Sequence, residues 1–185
     1  YVKKGFYYII SIFVVLLLWS CSTKKNTKAS RFYHSFTSRY NIYYNGKTSF
    51  DEALKSMETG YKESYSEMIH MISAQPKDKK ETGGPFDRAI EKGNKAIKLH
   101  SIKAKPAKKP GWRNDPKQRA LQEQEEYNPF LKKCWLLIGQ GQFYNADFLQ
   151  ASATFSYIAR HYSHDEEVVA EARLWQARCY SEMDW

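Results

Sequence analysis

The sequence has few cysteines and none of the patterns that mark common enzyme classes. Only three of its 185 residues are cysteine. No strand-like alternation of apolar and polar residues appears, which favours an all-α fold. No nucleophile, base and orienting group stand at recognisable spacings, and Gly83-Gly84 lacks the neighbours of a phosphate-binding loop. These absences argue against an enzyme and against a small-molecule substrate or a nucleotide cofactor.

The N-terminal residues carry a targeting signal. Two lysines precede an apolar run, residues 6–18, which a single serine interrupts. The run is too short to span a membrane comfortably and is followed by Leu-Trp-Ser-Cys ending at Cys21, which is typical of a signal peptide. Residues 18–21, Leu-Trp-Ser-Cys, resemble a bacterial lipobox. This resemblance implies that Cys21 becomes the acylated first residue of the mature chain. The alternative is an ordinary N-terminal anchor helix with an incidental cysteine.

The positive charge is concentrated in one segment. The net charge is +9, yet eight basic residues and a single acid lie between Lys98 and Arg119. A basic surface for nucleic acid is therefore not expected. Three interpretations of this segment stay open: a solvated linker, a contact with an anionic membrane or lipopolysaccharide, and a docking site for an acidic partner.

We predict five segments in the chain. They are a lipoprotein signal peptide (1–20), a lipidated polar tether (21–30), an N-terminal helical region with a degenerate repeat (31–101), a basic proline-containing connector (102–118) and tetratricopeptide-like repeats (119–185). We expect further repeats beyond residue 185.

Within the N-terminal region the period of apolar residues is helical. Asn45-Gly46 is expected to break the first helix, and Ser49 with Glu52 forms a capping box for a second helix that reaches Ile72. Residues 40–57 would then form the degenerate repeat. Pro85 is expected in the first turn of the next helix.

The last third predicts three helices, at about 129–144, 147–162 and 165–183, after a short helix over 119–127. Their apolar and small residues match the spacing of a tetratricopeptide repeat. The matching positions are Trp135, Ile138, Gly139, Ala151, Phe155 and Ile158. Asp147 is expected to cap the second helix of this repeat. The predicted architecture is therefore all-α, with antiparallel hairpins stacked as a tetratricopeptide-like α-solenoid.

Several longer strings resemble one family, the tetratricopeptide lipoproteins of the type IX secretion and gliding-motility machinery (PorW/SprE-like). They are CSTKK from Cys21, YNIYYNGK (40–47), EEYNPF (125–130) and TFSYIARH (154–161). The resemblance covers essentially the whole chain, as an N-terminal part of such a protein.

This resemblance implies a function. The protein would be a non-enzymatic scaffold lipoprotein in the outer membrane, facing the periplasm, which binds protein subunits of the secretion machine through its repeats. Apart from the lipid on Cys21, it would need no cofactor. The alternatives are a generic tetratricopeptide lipoprotein in outer-membrane assembly or peptidoglycan attachment, and a glycan-binding surface lipoprotein.

The repeat pattern also implies a partner-binding groove, because such proteins bind ligands along the first helix of each repeat. The positions concerned are Lys133, Leu136, Gln140, Phe143 and Tyr144. We predict no metal site, although His161, His164 and the acids after them offer ligand types in a turn. Cys134 and Cys179 should lie about 14 Å apart on successive first helices and remain free thiols.

Overall fold

The computed structural model describes residues 25–62, 65–66 and 83–183, and within them it contains helices and no β-strand. The prediction of an all-α fold is confirmed. The predicted signal peptide and Cys21 lie outside the described residues. The helix predicted to reach Ile72 ends at Gly60 instead, because Tyr61 has an extended backbone, and residues 67–72 of that prediction lie outside the described residues. No described helix has both the length and the apolar character that crossing a membrane requires.

The helices follow one another with loops of very different length. In chain order they are α1 (Lys28–Thr37), a π-helical segment (Ser38–Tyr43), α2 (Tyr44–Gly60), α3 (Asp87–His100), α4 (Pro116–Glu123), α5 (Leu131–Tyr144), α6 (Phe148–His161) and α7 (Glu166–Glu182). The hydroxyl of Thr27 caps α1 by accepting a hydrogen bond from the Ser30 N–H at 3.1 Å. The last residues of the predicted tether are therefore helical.

The predicted helix break at Asn45-Gly46 is wrong, because the backbone stays helical from Lys28 to Gly60. Gly46 is buried, and a Cβ there would lie 3.0 Å from Lys92 Cβ and 3.2 Å from a Leu137 methyl carbon. The glycine thus permits close helix packing rather than ending a helix. The Ser49 hydroxyl donates to the Asn45 carbonyl at 3.0 Å in mid-helix, so the predicted capping box does not form. The degenerate repeat over 40–57 is also wrong, since it needs a turn that this continuous helix lacks.

Two further helix starts differ from the prediction. Pro85 lies in a turn before α3, and Phe86 is the N-cap residue. The short helix α4 begins at Pro116 instead of residue 119, because the Asp115 side chain caps it, accepting from the Lys117 N–H at 2.9 Å.

The three C-terminal helices agree with their predicted bounds to within two residues. Gly139 is buried where α5 meets α6, and a Cβ there would lie 2.6 Å from the Phe155 ring, so this small residue allows the predicted close approach. Phe155 in turn stacks on Trp175 of α7, with ring centroids 5.9 Å apart. Asp147 is the N-cap residue of α6, but its side chain makes no capping hydrogen bond, which corrects that detail.

The helices pack in sequence, each chiefly against its neighbours. α2 packs on α3, α3 on α5, α5 on α6, and α6 on α7, while smaller contacts join α2 to α5 and α5 to α7. The short turns 145–147 and 162–165 require α5, α6 and α7 to run up and down. One buried cluster lies between α5, α6 and α7, and two others lie between the α2 region, α3 and α5.

A buried polar network at residues 126–128 joins the two halves of this array. The Glu126 carboxylate accepts hydrogen bonds from the backbone N–H groups of Ile102, Tyr127 and Asn128 at 2.8–3.0 Å, and from the Ser101 hydroxyl at 2.5 Å. Glu126 is 8% exposed, and the four donors offset part of the cost of burying its carboxylate. It therefore holds the end of α3 against the start of α5.

Asn128 extends the network to the N-terminal helix. Its amide donates to the His100 carbonyl at 3.0 Å and to the Ser38 hydroxyl at 3.4 Å, while its side-chain oxygen accepts from the Phe130 N–H at 3.1 Å. The residue is 1% exposed. One side chain thus contacts the π-helical segment, the end of α3 and the approach to α5.

A histidine pair completes the docking of α1 on α3. His34 Nδ1 and His100 Nδ1 are 2.9 Å apart, and both residues are buried. Burial, and then the neighbouring His34, lower the pKa of His100 below 6.5.

We expect this pair to make stability depend on pH. Because the pKa of His100 is lower in the folded than in the unfolded chain, the unfolded chain binds the proton first as the pH falls through 6.5. The contribution of the neutral His100 to the free energy of unfolding is complete above pH 6.5 and is lost as the pH falls below it. The free energy of unfolding, measured by urea denaturation, should fall between about pH 7.5 and about pH 5.5.

The matched variant is His100→Asn, which keeps a hydrogen-bonding nitrogen near the Nδ1 position but does not titrate. Its loss of stability over the same range should be smaller than that of the native chain. An equal loss in both proteins would show that His100 is not the responsible group.

Candidate functional site

An open groove lies between the N-terminal half of α2 and the start of α5. Its volume is about 690 Å³. We call it the α2–α5 groove. Its lining residues are Arg39, Tyr40, Tyr43, Tyr44, Lys47, Thr48, Asp51, Glu52, Lys55, Phe130 and Lys133.

The π-helical segment supplies Tyr40 and Tyr43 of this groove, and Tyr44 is the first residue of α2. Tyr40 and Tyr44 are four residues apart in a continuous helical backbone, which places them on the same side of it. The opposite side of the segment is fixed, because Ser38 and Ile42 are buried against the rest of the fold. Tyr40 and Tyr44 are consequently exposed, at 52% and 65%.

Tyr43 and Phe130 form the apolar floor. Their ring centroids are 5.1 Å apart in an edge-to-face arrangement. Burial is the main cause of the raised pKa of Tyr43, and the nearby Cys134, Asp51 and Glu171 raise it further. The phenol therefore stays protonated and keeps a hydrogen-bond donor at the floor across the physiological range.

Charges of both signs surround these rings. Lys47 pairs with Asp51, and Lys133 lies 3.9 Å from Glu171 on α7. The Arg39 guanidinium lies 5.1 Å from the centre of the Tyr40 ring. Aromatic surface with a charged rim is suited to binding a protein segment that carries apolar and charged side chains.

The predicted groove residues are only partly on a surface. Lys133 lines the α2–α5 groove, and Gln140 and Tyr144 are partly buried. Leu136 and Phe143 are 3% and 2% exposed, which corrects their assignment to an open groove. They belong to the core cluster that also contains Val168, Ala172 and Cys179 of α7, because α7 covers this side of α5. A periodic pattern alone does not tell a covered helix face from an open one.

The groove brings together two of the strings that carried the family resemblance. Tyr40, Tyr43, Tyr44 and Lys47 come from the 40–47 string, and Phe130 ends the 125–130 string. We did not predict these positions as a site, although the density of tyrosine in residues 40–44 was a usable signal.

Both remaining cysteines are free and buried, as predicted. Cys134 lies in the cluster between α3 and α5, whereas Cys179 lies in the cluster between α5, α6 and α7. Burial raises the pKa of Cys134 to about 12 and that of Cys179 to about 11. Both thiols are therefore protonated and unreactive near neutral pH.

The last residue of α6 contacts the segment that precedes α5. His161 Nδ1 lies 2.7 Å from a Glu125 carboxylate oxygen. This contact involves one of the two histidines that we considered as metal ligands. Among the described residues, no group of three or more histidine, cysteine, aspartate or glutamate side chains is arranged to hold a metal ion.

Comparison with known protein families and with characterised proteins gave no match. The residues of the groove therefore have to carry the functional argument themselves.

We expect Phe143→Ala to destabilise the fold instead of removing a binding contact. Truncating a buried phenylalanine costs about 3–5 kcal/mol, so the midpoint of urea denaturation should fall sharply. The control is Gln140→Ala, one turn earlier on the same helix, which should change the free energy of unfolding by less than about 1 kcal/mol. A Phe143→Ala protein as stable as the control would show that Phe143 lies on the surface.

Proposed function

We propose that this protein is an outer-membrane-anchored periplasmic scaffold of the type IX secretion and gliding-motility machinery. It binds protein subunits of that machine through tetratricopeptide-like repeats and has no enzymatic activity. Acyl chains on Cys21 hold it to the membrane, since each buried methylene adds about 0.8 kcal/mol to the binding free energy. The sequence pattern that ends at Cys21 supports the anchor.

The order of helix packing supports the repeat architecture. In this proposal α5 and α6 form one repeat, and α7 is the first helix of the next. α2 and α3 occupy the preceding position, since α2 contacts α5 as α5 contacts α7, and α3 packs on α5 as α6 packs on α7. The first helices of the three units are then α2, α5 and α7. The α2–α5 groove lies on the surface that two of these helices share.

One observation carries the functional proposal. The strings 40–47 and 125–130 are separated by about 80 residues of sequence, yet Tyr43 and Phe130 meet in edge-to-face contact in one groove. Exposed Tyr40 and Tyr44 stand above that contact. Exposed tyrosines beside paired charges are more typical of a protein-binding site than of a solvated helix surface.

The test is crosslinking in cells with a photoreactive amino acid at Tyr44 of the full-length protein. We expect captured ring or translocon subunits of the secretion machine, identified by mass spectrometry. The matched control places the same group at Leu149, which is 72% exposed in the first turn of α6, away from the groove. That position should capture far less of the same subunits.

Two results would contradict the proposal. Equal capture of the subunits at both positions would show that the groove is not their binding site. Capture of only outer-membrane assembly proteins or peptidoglycan fragments would overturn the assignment to type IX secretion.

A further inference from the structure

The solvent-facing side of α1 and of the π-helical segment after it carries a row of exposed aromatic rings. Phe32, Phe36 and Tyr40 stand one turn apart, and their neighbouring ring centroids are 6.0 Å and 4.7 Å apart. They are 72%, 54% and 52% exposed. We call these three residues the aromatic stripe. An exposed row of this kind on a helix marks a surface that binds something.

The basic connector lies beside the same helix. The Asn26 amide, two residues before α1, donates to the Ala104 carbonyl at 2.7 Å. Phe32 of α1 and Leu121 of α4 line one apolar groove of about 380 Å³, together with Tyr127 and Pro129. The aromatic stripe and residues 103–121 therefore adjoin.

This combined face is strongly positive. The first 50 residues of the chain contain no aspartate or glutamate, and five lysine or arginine residues lie within 25–47. The connector adds exposed Lys103, Lys105, Lys108 and Lys109. The Trp112 ring contacts two of the cations in this segment. Its centroid lies 5.0 Å from Lys108 Nζ and 5.6 Å from the guanidinium carbon of Arg113. Asp115 is the single acidic residue in the sequence from 103 to 119.

The distance from the anchor limits where this face can lie. Six residues, 22–27, lie between Cys21 and Lys28, the first residue of α1, so at most about 25 Å of extended chain separates the two. The apolar run 6–18 ends only ten positions before α1. Whichever of the two holds the chain, the positive face is kept at a high effective concentration next to the lipid surface.

We propose that the aromatic stripe and the connector 103–119 bind the surface of an anionic lipid bilayer. Phenylalanine, tyrosine and tryptophan rings are suited to the headgroup layer, and lysine and arginine pair with lipid phosphates. The membrane attachment belongs to the proposed function, and this inference adds a second, non-covalent contact. It orients the fold, with α1 towards the lipid and α7 away from it.

The position of α1 relative to lipid can be measured with a nitroxide label on Phe36→Cys in the full chain, reconstituted in phosphatidylcholine vesicles with and without phosphatidylglycerol. Cys134 and Cys179 are buried, with pKa values of about 12 and 11, and the proposed acyl anchor occupies the sulfur of Cys21, so an exposed engineered cysteine labels selectively. The native chain taken through the same labelling gives the background. Leu174→Cys on α7 is the control, because Leu174 is 58% exposed.

With phosphatidylglycerol, collisions of the label at position 36 with a water-soluble nickel complex should fall several-fold relative to collisions with oxygen. The label at position 174 should show no such change. Replacing Lys105, Lys108 and Lys109 with glutamine should reduce the effect at position 36, as should high salt.

An unchanged nickel accessibility at position 36 in phosphatidylglycerol vesicles would overturn the proposal, and so would an equal change at position 174. Protection of position 36 by an added acidic protein but not by lipid would assign the face to that partner. None of these outcomes bears on capture at Tyr44, so the inference and the proposed scaffold role fail separately.

Discussion

The buried side chains of Glu126 and Asn128 hold the N-terminal helices to the C-terminal helices that follow. Residues 101–115 form a long connection between α3 and α4, and the length of this connection does not by itself fix the helices that it joins. The Glu126 carboxylate binds the backbone at residue 102, and the Asn128 amide contacts Ser38 and the His100 carbonyl. Since unpaired buried polar groups cost about 1–3 kcal/mol each, this set of contacts favours one relative position of α1, α3 and α5.

Both proposed surfaces depend on that position. Phe130 follows Asn128 by two residues and meets Tyr43, so the network sets the floor of the α2–α5 groove. The same network holds the backbone at residue 102, from which the basic connector leads to its contact with Asn26. A partner in the groove and a lipid surface at the aromatic stripe would thus bind one rigid arrangement, in which Tyr40 stands at the boundary between the two surfaces.

The sequence was informative where local rules and tertiary packing agree. The three C-terminal helices were predicted closely because apolar periodicity, Gly139 and the turn residues all favour the same hairpins. The N-terminal region was not, since Asn45-Gly46 has the composition of a turn while the tertiary contacts of Gly46 require a glycine inside a helix. Leu136 and Phe143 were misplaced because periodicity does not show which helix face a later helix will cover. The roles of Glu126 and Asn128 could not be predicted, because their partners are distant in sequence.

The measurement that tests this account most directly is amide hydrogen exchange in Asn128→Ala, with Asn114→Ala in the exposed connector as the control. Removing the Asn128 amide leaves Ser38 and the His100 carbonyl without this partner. We predict faster exchange over residues 28–43 in Asn128→Ala, with exchange over 148–182 unchanged and the control equal to the native chain. Unchanged protection over 28–43, or an equal loss of protection along the whole chain, would contradict the role assigned to this network.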